Sequence, residues 1–168
     1  MLAATESLNK ITTLIDDIGI ETRKQTEQME TVFSPSSATA TKKNLINEFA
    51  KFLKSKANEI QQSAVIGRQN YETFADEFIL AASMQRETAD PETYASEIAQ
   101  FLAEAEKSLS LIPTNRMSIA SFKEAVAALP KITIQINQAK KQLIGALDDC
   151  IKLFDEVERK IYDISART

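Results

Sequence analysis

Apolar residues recur at steps of three and four along nearly the whole chain, a period that suits helices and excludes strands. In the first stretch, roughly residues 2–32, Leu8, Ile11, Ile15, Ile18, Thr22, Gln25, Met29 and Val32 make one heptad-like seam. Thr22 and Gln25 are its two polar positions and read as a register-setting layer, or as a polar ligand contact inside a bundle. A second stretch, from about Thr39 to Glu87, carries Leu53, Ala57, Ile60, Ala64, Gly67, Tyr71, Phe74, Phe78 and Ala81 on one seam. Leu45, Phe49 and Phe52 extend that seam after a shift of register. Three glycines and four prolines in 168 residues leave little material for hairpins or a sandwich. The expected class is all-α: an elongated antiparallel helical bundle of four to five helices with coiled-coil-like seams, in a single domain over residues 1–168.

Four breaks divide this pattern. Phe33-Ser34-Pro35-Ser36-Ser37 interrupts it near 33–38. Asp90-Pro91-Glu92 closes a break near 88–91 and predicts a helix start, with a carboxylate N-cap, proline at the first helical position and an acid in the first turn. The third stretch then places Tyr94, Ile98, Phe101, Ala105, Leu109 and Ile112 on one face. Pro113-Thr114-Asn115 predicts its end, with a break over 113–118 and a capping-box pattern, Ser121 to Glu124, restarting the chain. A short stripe, Ile119, Phe122, Val126 and Leu129, runs to the fourth break, at Pro130. A long seam follows, from Ile132 and Ile136 through Ala139, Leu143, Leu147, Cys150, Phe154, Val157 and Ile161 to Ile164. Pro130 either kinks one continuous helix, whose last seam would then need a second chain to cover it, or reverses the chain; the favoured reading is a reversal, with the last helix running back up beside the second and first stretches and every seam covered within one molecule.

The chain has no histidine, which removes Ser-His-Asp and Cys-His arrangements, His-ligated zinc and haem, and the Glu-x-x-His di-iron site. Its one cysteine, Cys150, excludes an internal disulfide and falls on an apolar seam, the place of a structural thiol. Adjacent acids at Asp16-Asp17, Asp76-Glu77, Asp148-Asp149 and Asp155-Glu156 diverge by about 100° on a helix and read as surface charge. No Gly-rich phosphate loop and no calcium loop occurs. The expectation is a non-enzymatic protein without cofactor or metal.

Net charge is −4, concentrated in residues 67–130, which carry ten acidic and five basic side chains. With no basic cluster, a nucleic-acid partner is not expected. The first twenty residues lack the basic and apolar regions of a signal peptide, and the longest apolar run, Phe78–Ala82, is too short to span a bilayer. A soluble chain is expected, either cytoplasmic or an excised extracytoplasmic domain. The amphipathic faces mix charges of both signs, so membrane contact is disfavoured.

Small residues at Ala57, Ala64 and Gly67, followed by Arg68, Asn70 and Tyr71, mark the main candidate ligand site: close helices or a cavity, with a guanidinium and a phenol to receive a small carboxylate or amide; Asn115 and Arg116 offer similar groups but read as turn residues. In outline the pattern resembles helical bacterial sensor domains and other extended helical interaction domains, a likeness of fold alone. Three functions follow as expectations: association with a protein partner or a second copy, sensing of a small molecule near Arg68, Asn70 and Tyr71, and lipid binding by an opening bundle.

Overall fold

The computed structural model describes residues 2–32, 39–129 and 133–167, and those residues form four helices: α1 (Leu2–Val32), α2 (Thr39–Glu87), α3 (Glu92–Ala127) and α4 (Ile134–Arg167). No strand occurs among them. At about 1.5 Å per residue α2 is about 73 Å long and sets the length of the bundle. The predicted breaks at 33–38 and at Pro130 lie outside the described residues, as do the side chains of Val32 and Ile132.

Side-chain pairs give the directions. Ser7 meets Asn70 while Ile11 lies beside Gly67, so α1 and α2 are antiparallel. Thr5 lies beside Ser108 and Gly19 beside Phe122, so α1 and α3 are parallel. Arg116 reaches Asp155 and Glu158 while Lys123 reaches Asp148, so α3 and α4 are antiparallel and α4 runs with α2. The most extensive contact is between α2 and α4, and α1 and α4 sit on opposite corners.

The seams form one core. On α1, Leu8, Ile11, Ile15 and Ile18 are buried; on α2 the whole run from Leu53 to Ala81 is; on α4, Ile136 to Ile164 is. Within the core Phe74, Phe78 and Phe101 form an aromatic cluster, with Phe101 5.6 Å from Phe74 and 5.2 Å from Phe78 between ring centroids. Such tilted and edge contacts add to the area the rings bury. Thr22 is buried and donates to its own helix at Ile18 O (2.7 Å), while Gln25 is half-exposed and donates to Glu21.

Two readings of the third stretch need correction. α3 does not end at 113–118: Pro113 sits inside a continuous helix, and the Ser121 capping pattern is helix interior. A proline there removes one hydrogen bond and costs about 3 kcal/mol. Pro113 is exposed, so its ring meets solvent, and Ile112, Ile119, Phe122 and Val126 stay buried on either side of it. Each such side chain contributes about 1.5–3 kcal/mol on burial, which outweighs the break. The chain therefore makes one reversal fewer than expected. α4 runs down beside α2 and α3, not up beside α2 and α1. At the start of α3, Asp90 gives no side-chain cap; its carbonyl accepts from Thr93 N (3.2 Å), and the helix begins at Glu92.

Candidate functional site

Arg68, Asn70 and Tyr71 are close in sequence but face three directions, because each residue turns about 100° around α2. Arg68 turns to α4 and donates from Nε to Glu156 Oε2 at 2.9 Å, with each side chain 36% exposed. This bond, opposed by desolvation, holds its guanidinium above its ordinary range. Asn70 turns the other way and donates to Ser7 Oγ on α1. Tyr71 points into the core, 1% exposed, with its ring 5.3 Å from Phe74. The three residues do not converge on one ligand position.

The small-residue stripe beside them is filled. A Cβ added at Gly67 would lie 3.0 Å from Leu153 Cδ2 and 3.3 Å from Ile11 Cδ1, so glycine here lets α1 and α4 both approach α2. Close packing, not a cavity, is what Ala57, Ala64 and Gly67 provide.

Polar groups do enter the core next to Tyr71. Thr5 Oγ1 and Ser108 Oγ share a hydrogen bond of 2.9 Å, and Glu104 is buried one turn before Ser108. The Tyr71 hydroxyl lacks a hydrogen bond of good geometry. Burial pushes its phenol up to about 12; the nearby Ser108 hydroxyl offsets this and the Glu104 carboxylate adds to it. Further along α3, Asn115 is 4% exposed and its amide nitrogen has no partner among the described residues. Glu104, Ser108 and Asn115 continue the three-and-four step through Phe101, Ile112 and Ile119, so the pattern held them. Following apolar residues alone selects Leu109, which is only half-buried, and passes over Ser108.

Cys150 is fully buried, and its thiol is pushed up to about 12, first by desolvation and then by Asp149. A thiol so placed is protonated and shielded at neutral pH. Among the described residues no group of three or more Cys, Asp or Glu stands close enough to hold a metal ion, and no helix is long and apolar enough to cross a membrane.

The open features are on the surface. A groove of about 670 Å³ runs between α1 and α3, with Ile15, Gly19 and Phe122 along it and Ile20, Arg23 and Met117 among its walls. A smaller groove of about 170 Å³ lies between the second half of α2 and the start of α3. Its walls are Leu80 and Met84 on one side and Tyr94 on the other, Phe101 belongs to its lining, and Glu77 and Glu97 stand at its edges. Leu80 is 61% exposed and Met84 43%. Both lie off the Phe74–Phe78–Ala81 seam, and large apolar side chains off a seam are the signal in the sequence that marks them.

Comparison with known protein families, with curated proteins and with solved structures finds no match to this chain.

Proposed function

We propose that this chain is a non-enzymatic helical bundle that acts by association with a protein. The observation that carries the reading is the pair of large apolar side chains, Leu80 and Met84, left exposed one helical turn apart beside a groove of the α2–α3 hairpin. Single exposed apolar residues are ordinary, but a grouped set at the rim of a groove is the form of an interaction site. The filled space at Gly67 and the engagement of Arg68 by Glu156 weigh against a ligand held at Arg68, Asn70 and Tyr71. Light scattering over a range of concentrations, alone and with captured partners, tests the reading. It expects a stable self-assembly or heterocomplex that is lost in the double variant Leu80→Ser/Met84→Ser. A strictly monomeric species with no complex, or a complex untouched by that variant, contradicts it.

One observation favours sensing as a second reading, at a different place. The α1–α3 groove, about 670 Å³, falls in the size range of small-molecule sites and has the cation Arg23 among its walls, as well as the carboxylate Asp16. Thermal stabilisation by a small carboxylate, abolished in Arg23→Ala, would support it; a broad metabolite screen with no shift would remove it. Lipid binding is the least supported, because the exposed apolar side chains of the hairpin stand among carboxylates, which anionic headgroups repel.

A further inference from the structure

We infer that the α2–α3 groove receives a basic amphipathic helix from a different protein. This rests on the association reading and goes past it by naming the chemistry of the partner. Leu80 and Met84 are one turn apart on α2, Tyr94 faces them from α3, and Phe101 belongs to the same lining. Behind them Phe101 packs on Phe74 and Phe78, so the groove has a rigid aromatic base. Its volume, about 170 Å³, is below the roughly 300–1,000 Å³ of metabolite sites and suits one anchoring side chain. Apolar residues at i and i+4 on a partner helix would straddle Leu80 and Met84 in the manner of a helix laid in a groove.

Charge selects among the occupants. Between Glu72 and Glu97 the chain carries seven acidic residues and one basic residue, Arg86. Glu77 and Glu97 are part of the groove itself, and both are exposed. The lining holds two carboxylates and, among the described residues, no basic side chain, which favours lysine and arginine around the partner's anchors and speeds their encounter. A second copy docking by two-fold symmetry would bring the same acidic patch onto itself, which is unfavourable. Anionic membranes and nucleic acids are repelled for the same reason.

The test uses the full chain and three labelled amphipathic peptides of about five helical turns. All carry leucine on one face; the other face is lysine, glutamine or glutamate. Binding is read by fluorescence anisotropy at low and high salt. The lysine peptide should bind at least tenfold more tightly than the glutamine peptide at low salt, and the two should converge at high salt. Leu80→Ser/Met84→Ser should weaken the lysine peptide by tenfold or more. Glu77→Gln/Glu97→Gln should weaken the lysine peptide and leave the glutamine peptide unchanged. Ile20→Ser/Met117→Ser, on the other groove, should change nothing, and circular dichroism checks that each surface variant stays helical. Equal binding of the lysine and glutamine peptides overturns the inference, as does lysine-peptide binding that ignores Leu80→Ser/Met84→Ser, or binding to phosphatidylserine vesicles that depends on those two residues. If no peptide binds while light scattering shows an assembly lost in Leu80→Ser/Met84→Ser, the basic-helix inference fails and the association reading stands. If neither occurs, both fall.

Discussion

The ammonium of Lys140, in the second turn of α4, donates to the carbonyl oxygen of Leu129 at 2.5 Å, just past the end of α3. It also donates to Ala127 O at 3.1 Å, and the side chain is 4% exposed. One cation thus closes the carbonyl end of a helix, where the backbone dipole is negative, and ties the two helices across the reversal. Lys140→Met keeps the stem and removes the charge. Hydrogen bonds to charged groups contribute about 1.5–3 kcal/mol, so we expect a loss of about 2 kcal/mol in urea unfolding. Hydrogen exchange should rise at the last turn of α3 before it rises elsewhere.

Pro113 is exposed within α3 and leaves Leu109 O without its helical donor. Pro113→Ala should restore that bond and stabilise the protein by about 1–3 kcal/mol. A decrease in the urea midpoint on this change would mean that α3 is not continuous.

Gly67 and Gly145 are both helical glycines and should respond oppositely. A Cβ at Gly145 meets nothing within 4 Å, so Gly145→Ala should stabilise by about 0.5–1 kcal/mol through helix propensity. At Gly67 a Cβ already presses Leu153 and Ile11, and a longer side chain must part α2 from its neighbours. Gly67→Leu should cost about 1–3 kcal/mol or more, read as a fall in thermal midpoint.

Alkaline pH should unfold the protein through two groups. Tyr71 is raised from 10.0 and Cys150 from 9.0, each to about 12 in the folded state. For both, the unfolded chain releases its proton first. Stability is then fully present below pH 9, declines as Cys150 of the unfolded chain ionises near 9 and Tyr71 near 10, and continues to fall toward 12. Stability measured between pH 8 and 11 should slope downward, less steeply in Tyr71→Phe and less steeply again with Cys150→Ala. At pH 8 the Tyr71→Phe change itself should be neutral or mildly stabilising, since the buried hydroxyl has no good partner. A thiol reagent at pH 8 should modify Cys150 slowly until urea opens the bundle.

Periodicity alone determined the elements that local spacing encodes: the helical class, the α1, α2 and α4 seams and the buried place of Cys150, because a stripe repeating every three or four residues can be hidden only as a helix against a neighbour. It did not determine the span of α3. The penalty of Pro113 is local and visible, whereas the burial of Ile112, Ile119 and Phe122 that outweighs it exists only once α1 and α4 are in place. Direction followed from that span, so the sense in which α4 runs along α2, and its packing on α3 rather than α1, were tertiary decisions. The same holds for the candidate site. Arg68, Asn70 and Tyr71 are neighbours in the chain, but helical rotation sends them to α4, α1 and the core, and the partners waiting there decided what each one does. Leu80 and Met84 lie off the Phe74–Phe78–Ala81 stripe, so spacing already turns them from the core; that they border a groove closed by Tyr94 depends on how α3 packs beside α2, which spacing does not contain.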